Sequence, residues 1–408
     1  MNKRILILTQ WFEPEPVLKG MVFARALVER GYEVEVVTGF PNYPVGRLYP
    51  GYTMSLIKRE RIDGVEVTRL PLYPSHDRSP IRRALTYLTF AASGGVYCLF
   101  FAKTPDVVYV YSLPTMGVVA SVLKRLRGAP FIYDIQDVWP DSLQATGMMR
   151  SKPMVNAIAA VLRWVYRQAG AIVVQSGGFR RTLVERGVPE SKVEVIHNWC
   201  DEVTLNRPSP ANSVQFPVRD GFRILFAGNM GKAQGLDAVI DAAGLAQIRA
   251  SHIQFVFVGA GLDVDRLKAL ARDRSLRNVV FLPRVEMDQV GALLADADAL
   301  LVHLRPDPLF TITIPSKIQA YLAMGKPILI AVPGDATSLV REAGCGIEAA
   351  SGDPESIASA AIQLASLRPA ELADMGRRAR DYYRTQLAID VGVTKFVAAF
   401  ERVAAAHA

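Results

Sequence analysis

The sequence predicts an α/β protein built from two doubly wound, Rossmann-like units in tandem. Three observations carry that expectation. A chain of 408 residues, 50% hydrophobic, is too long for one core. Short apolar runs alternate with helical stretches along most of it, as in parallel sheets covered on both faces. A Pro, Ser and Asn-rich stretch at residues 206–213 separates two such series. The expected division is 1–205, 206–385, and a helix over 386–408 able to pack back on the first unit.

Composition excludes several classes. Cys98, Cys200 and Cys345 are widely spaced and odd in number, which gives neither a disulfide framework nor a metal-ligand spacing, and the five scattered histidines predict no structural metal. Met1-Asn2-Lys3-Arg4 runs straight into Ile5-Leu6-Ile7-Leu8, an apolar run too short for a secretory signal, so a reducing, cytoplasmic location is expected. The net charge of +8 is uneven. Residues 1–205 hold 25 Lys and Arg against 18 Asp and Glu; the remainder hold 22 against 21. No basic run interleaves with aromatics, so no nucleic-acid partner is expected. An anionic membrane surface or acceptor fits the basic first half, beside the plainer reading of a soluble basic surface.

In chain order, residues 3–9 form a continuous apolar strand. The loop from Gln10 through Trp11 to Gly20 leads into a helix over 21–30, closed by Gly31, and residues 34–38 are the second strand. Ligands of open α/β sheets collect at carboxyl ends of strands, which makes Gly20 a floor for a ligand and Phe40-Pro41-Asn42-Tyr43-Pro44 either a second such loop or a proline turn. Residues 84–102 carry no charge and follow Arg82-Arg83. Ser93-Gly94-Gly95 interrupts them and a strand at 106–111 follows, so membrane spanning is rejected and a buried helix is expected, the alternative being a helix with one face at a membrane. Residues 131–134 are the next strand. It opens onto Ile135-Gln136-Asp137-Val138-Trp139-Pro140-Asp141-Ser142, where three carboxylates of the stretch Asp134–Asp141 can supply an acid, a base or a hydroxyl ligand. Asp137 is read as functional. Asp141 and Ser142 are placed to cap the helix that follows. Strands at 171–175 and 193–196, with His197-Asn198-Trp199-Cys200-Asp201, end the series.

The second series opens with a strand at 222–227. Next come Gly228-Asn229-Met230-Gly231-Lys232-Ala233-Gln234-Gly235 and an apolar-periodic helix. Strand, glycine loop and helix bring backbone N–H groups, a helix dipole and Lys232 to one point, a cradle for a phosphorylated ligand or, more plainly, the glycines any parallel sheet carries at strand ends. The glycine intervals match neither the dinucleotide fingerprint nor the Walker loop, which sets an oxidoreductase aside. Further strands are expected at 253–258 (before Gly259-Ala260-Gly261), 279–281, 299–303 and 327–331, then an amphipathic helical region at 377–406. Thr311-Ile312-Thr313-Ile314-Pro315-Ser316-Lys317 precedes a helix that Gly325 ends, a second phosphate-friendly helix start. Two such ends in one unit suit a nucleoside diphosphate.

The Gly228 loop, Pro315-Ser316-Lys317 and Ala323-Met324-Gly325-Lys326-Pro327 together resemble family-4 retaining glycosyltransferases of the GT-B fold. Residues 134–142 narrow the resemblance to bacterial O-antigen and capsule transferases similar to the WbuB-type L-fucosamine transferases. It covers essentially the whole chain. It implies two Rossmann-like domains with an interdomain cleft, and a sugar-nucleotide donor, with UDP favoured, on the second domain. It also implies a lipid-linked (undecaprenyl diphosphate) saccharide acceptor on the first, at the inner face of the plasma membrane. No cofactor or metal is implied. Carried onto this sequence, the catalytic residues are Asp137, Lys232 and Lys317. Donor residues are Gly20, Asn198, Gly228, Asn229, Gly231, Gln234, Gly261, Arg284, Thr311, Thr313, Pro315, Ser316 and Gln319. Acceptor residues are Trp11, Tyr43, Gln136 and Asp141.

Departures from the family pattern are visible. Asn229 and Gln234 stand where the glycine loop commonly has Arg and Lys, and Ile312 and Ala320 stand where a glutamate pair is familiar. Gln136-Asp137 replaces a common His-Asp. A sugar-nucleotide epimerase of the same architecture and a catalytically silent scaffold are the competing expectations.

Overall fold

The computed structural model describes residues 3–76, 79–145, 149, 151–207 and 221–407. The chain folds as two compact units, Met1–His197 with Gly392–Ala408, and Asn198–Val391.

The first unit is built on an eight-stranded sheet: β1 (Arg4–Leu8), β2 (Glu33–Gly39), β3 (Lys58–Ile62), β4 (Val65–Leu70), β5 (Val107–Tyr111), β6 (Phe131–Ile135), β7 (Ala171–Val174) and β8 (Val193–Val195). Its order is β3-β4-β2-β1-β5-β6-β7-β8, parallel except for β3. Ile5 to Leu8 are shut off from solvent, as a central strand covered on both faces requires. The order reverses between β1 and β5, and ligands of such sheets sit outside that point. The β3–β4 hairpin was not expected. Its turn is Asp63-Gly64, both at positive φ, but Lys58-Arg59-Glu60-Arg61 carries the charges of an edge strand and hides the apolar alternation.

Helix α1 (Met21–Glu29) follows β1, and α2 (Pro80–Phe100) precedes β5. The expectation that residues 84–102 form a buried helix is corrected. Phe90, Tyr97 and Cys98 face the core, while Ile81, Leu88 and Phe100 are 74%, 59% and 76% exposed. Absence of charge suggested burial on all sides, but among the described residues no further layer of the unit covers the outer face. No described helix is long and apolar enough to cross a membrane.

The second unit carries a six-stranded parallel sheet of β9 (Phe222–Ala227), β10 (Ile253–Val258), β11 (Val279–Leu282), β12 (Ala299–His303), β13 (Ile328–Ala331) and β14 (Gly346–Glu348). The order is β11-β10-β9-β12-β13-β14, which reverses between β9 and β12. Apolar clusters fill both faces of the sheet. β14 is three residues long, too short to be seen as a pattern.

The second unit begins at Asn198 rather than at 206. The turn Glu202–Leu205 belongs to it: Tyr383 donates from its hydroxyl to Glu202 at 2.8 Å, and Leu205 lies in the cluster with Leu293 and Leu294. Residues 208–213 of the expected linker lie outside the described residues. The helical region expected at 377–406 is a helix Pro369–Tyr382, a π-turn Tyr383–Leu387 and a helix Ile389–Ala405. The wide turn is the corner that puts the Tyr383 hydroxyl within reach of Glu202 and the Cys200 backbone N–H. From Gly392 on, the last helix packs in the first unit. Phe396 lies 5.1 Å from Phe23 and 5.5 Å from Tyr109, ring centre to ring centre, and Tyr32 donates to Glu401 at 2.5 Å.

Candidate functional site

In the second unit the loop from Gly228 to Gly235 leaves β9 at the reversal of strand order, where the fold gathers ligands. Neighbouring loops hold it by backbone contact. Gly228 N–H donates to Val258 O at 2.9 Å, Met230 N–H to Ala260 O at 2.8 Å, and Arg305 N–H to Ala233 O at 3.0 Å. A Cβ on Gly259 would lie 2.0 Å from Gly228 O, and one on Gly261 2.1 Å from Met230 O. These two glycines, Gly261 among the donor candidates, are therefore required for loop to lie on loop. Gln234 folds back across the turn and accepts from Gly231 N–H at 3.0 Å and from Asn229 Nδ2 at 3.4 Å.

His303, at the end of β12, was not anticipated. Its Nε2 accepts from Gly352 N–H at 3.2 Å, which leaves Nδ1 to donate to Gln234 O at 2.6 Å. Burial lowers its pKa, in keeping with that neutral tautomer. A lone histidine with no motif around it gave no signal in the sequence.

Lys317 is the chemical centre of this unit. Its Nζ sits 3.4 Å from the centre of the Phe226 ring and 3.2 Å from where a Cβ of Gly228 would stand. Although part of the side chain is accessible, the nitrogen itself is buried and has no hydrogen-bond partner among the described residues. Burial pushes its pKa down to about 7. A cation kept short of partners beneath a glycine loop is a group that an incoming anion would complete.

Other donor candidates fare differently. Gln319, one of the donor candidates, is buried, and in the orientation that satisfies its amide it donates to the carbonyls of Pro315 (3.2 Å) and Ser316 (2.8 Å). Thr311 and Thr313 donate to Pro308 O (2.7 Å) and Leu309 O (2.8 Å) within their own turn. Pro315 and Ser316 precede the helix rather than form its first turn; it begins at Lys317. Lys232 is exposed on the loop. Arg284 is exposed just beyond β11, the edge strand two places from β9. Asn198 is buried at the start of the unit.

In the first unit the loops after β1 and β2 are tied to each other, and the loop after β1 is tied to strand β6 as well. Glu15 is buried and accepts from the N–H groups of Phe12 (3.1 Å), Asn42 (2.7 Å) and Tyr43 (2.7 Å), while desolvation, the largest influence, raises its pKa. Above it Trp11 lies 5.4 Å from Tyr43 and 6.3 Å from Tyr87, so two rings expected to meet an acceptor do share a wall. Gln10, also unanticipated, is 1% exposed at the end of β1, and neither amide atom has a partner among the described residues.

Lys19 and Asp134 form a fully buried ion pair at 2.5 Å. Tyr109 donates to the same carboxylate at 2.6 Å, and Gln136 donates to its other oxygen at 2.5 Å. Desolvation is the main cause that lowers the Lys19 pKa, against the pull of Asp134. The Gln136 amide therefore supports the pair. Gly20 is not an open floor: a Cβ there would meet Glu13 Oε1 at 2.3 Å, and that oxygen accepts from Met21 N–H at 2.7 Å, closing the start of α1. Asp137 lies on the loop after β6 with part of the residue open to solvent, while the protein atoms packed around its carboxyl desolvate it and raise its pKa. Asp141 and Ser142 lie in the first turn of the short helix Asp141–Ala145. Asp141 pairs with Arg186 at 2.5 Å, and Ser142 donates to Val138 O at 3.1 Å. Ser112, at the end of β5, has φ +69, a conformation rare outside glycine and placed at the reversal of strand order.

Comparison with known proteins accords with this geometry. Residues 21–199 match the family described as Glycosyl transferase 4-like domain, and residues 221–366 the family described as Glycosyl transferases group 1. The protein named colanic acid biosynthesis glycosyl transferase WcaI, from Escherichia coli K12, is 28% identical over 310 residues, 73% of this chain and 75% of its own. Among solved structures, E. coli trehalose-6-phosphate bound with UDP-2-fluoro glucose superposes with TM-score 0.74 at 10% identity, over 98% of this chain and 99% of that one. Anabaena HepE in complex with UDP and glucose gives 0.68 at 16% identity, over 97% and 99%.

Proposed function

We infer that this chain, a glycosyltransferase of the GT-B fold, transfers a sugar from a nucleoside-diphosphate donor held by its second unit to a saccharide acceptor held by its first. The observation that carries the reading is the buried Lys317 ammonium beneath the Gly228 loop, without a hydrogen-bond partner among the described residues. UDP is favoured as the nucleotide because the neighbours of like fold were solved with UDP compounds. The sugar is a hexose-type unit, with an N-acetylated amino or deoxyamino sugar as the specific proposal. The acceptor is a lipid-linked saccharide in bacterial surface-polysaccharide synthesis, supported by the name of the colanic acid relative and by the basic first half of the chain. The protein works at the inner face of the plasma membrane without spanning it.

Departure of the diphosphate builds negative charge on the leaving oxygen. Lys317, backbone N–H groups of the Gly228 loop and the exposed Lys232 are the groups that would oppose it, and loss of one charge-assisted contact costs about 3 kcal/mol of transition-state stabilisation. Transfer with retention leaves the acceptor proton to the departing phosphate. Asp137 orients an acceptor hydroxyl, and Trp11 and Tyr43 offer apolar ring faces to a sugar.

The test is binding and slow hydrolysis of a panel of UDP-, GDP- and dTDP-sugars by the wild type beside Lys317→Met. One nucleotide class is expected to bind selectively, with affinity reduced about 100-fold in the variant. If no nucleotide binds, the reading fails and a silent scaffold takes its place. Release of an epimerised sugar nucleotide without acceptor would favour an epimerase.

A further inference from the structure

We propose that the outward face of α2 is a docking surface for an anionic lipid bilayer. The proposal deepens the peripheral-membrane part of the function inferred above, and it assigns that contact to one helix.

α2 is 21 residues long, about 30 Å at helical rise. Its exposed apolar residues are Ile81, Leu85, Leu88, Val96 and Phe100, continued by Phe101. Successive spacings within the helix of four, three, eight and four keep the five helical side chains in one stripe, opposite buried Phe90 and Tyr97. From Ala84 to Ala102 the sequence has no charged residue, so the stripe is not relieved by the charges that an ordinary surface helix carries. Its Thr and Ser hydroxyls are withdrawn as well. Thr86 donates to Ser75 O at 3.2 Å, Thr89 to Leu85 O at 2.7 Å, and Ser93 to Pro71 O at 2.7 Å. What remains outside is hydrocarbon, of a kind a surface seldom leaves in one piece.

Charge selects the occupant. Exposed Arg82 stands at one end of the stripe and exposed Lys103, 3.6 Å from Glu33, at the other, with Arg83 beside the first. No acidic residue lies between positions 79 and 105. A second copy of this chain laid on the stripe, parallel or antiparallel, would bring cation against cation. Anionic headgroups would instead meet both ends while the stripe enters the acyl boundary, the disposition of an interfacial helix. The aromatic wall of Trp11 includes Tyr87 of the same helix, so the stripe and the proposed acceptor wall are built on one element.

The test is co-sedimentation of the full chain with vesicles of phosphatidylcholine alone and of phosphatidylcholine with 30% phosphatidylglycerol. Wild type, Leu88→Asp, Phe100→Asp and Arg82→Glu/Arg83→Glu are compared, with Leu88→Gln as a milder change. UDP binding by each variant reports that the fold and the donor site are intact, so failure here is separate from failure of the transferase reading. Binding to the anionic vesicles is expected, lowered about tenfold by each apolar substitution. The double arginine change and 0.5 M salt should lower it further. Binding that the Leu88 and Phe100 changes leave unaltered overturns the proposal, as does no binding at all. A wild type that sediments as a dimer, with Leu88→Asp a monomer, would assign the stripe to a second copy and overturn it equally.

Discussion

At the scale of single residues, Lys317 links the electrostatics of the empty protein to its ligand. Its pKa is lowered to about 7 from 10.5 by burial. Between those values the unfolded chain holds a proton that the folded one has released, so this group makes stability rise with pH from 7 to about 10. Below pH 7 the full cost of the buried charge is present. A bound diphosphate favours the ammonium form, so nucleotide affinity is expected to be flat below pH 7 and to fall up to tenfold per unit above it. His303, the nearby titratable group, has its pKa lowered from 6.5 and is already neutral there. Calorimetry at pH 8 in two buffers of different ionisation enthalpy should show close to one proton taken up per nucleotide, and Lys317→Arg should abolish the uptake. Affinity that does not change between pH 7 and 9 would remove Lys317 from the phosphate site. The sequence pointed to Lys317 through its place at a helix start. It gave no hint that the nitrogen is buried over Phe226, because that depends on a ring 91 positions earlier in the chain.

Among elements, the glycine loops show what a short stretch reveals and what it hides. Gly228-Asn229-Met230-Gly231 announced a tight approach of backbone, and the approach is there. Its partner, however, is the loop after β10 as much as any ligand. Gly259→Ala, at φ +140 and 2.0 Å from Gly228 O, is expected to cost about 3 kcal/mol and to weaken nucleotide binding. Gly231→Ala meets only the ends of Asn229 and Gln234 at 3.1 and 3.4 Å, and should cost under about 1 kcal/mol. Urea unfolding of the two variants decides, and equal costs would show that the contact between loops carries no load. Continuous apolar strands such as β1 and β9 were legible because burial on both faces leaves a pattern in the residues themselves. The β3–β4 hairpin, β14 and the Lys19–Asp134 pair were not, since edge charges, brevity and a separation of 115 positions leave none.

For the whole molecule, the two sheets have separate cores and only the second is expected to hold nucleotide. UDP at a hundredfold excess over its Kd should raise the opening free energy of β9, β10 and β12 by about 2.7 kcal/mol and leave β1, β5 and β6 unchanged. Hydrogen exchange resolves the two sets, and equal slowing of both would refute a donor site confined to the second unit.

The return of residues 392–407 to the first unit also sets an order of events during synthesis. Phe396 completes the cluster of Phe23 and Tyr109, Lys19 stands 4.8 Å over its ring, and Glu401 pairs with Lys3. A ribosome that has finished β8 must add the entire second unit before it supplies these groups. At 5–20 residues per second that is a wait of about 10–40 s. Throughout that interval the nascent first unit exposes the apolar seat of its last helix, while the later-made second unit can already close.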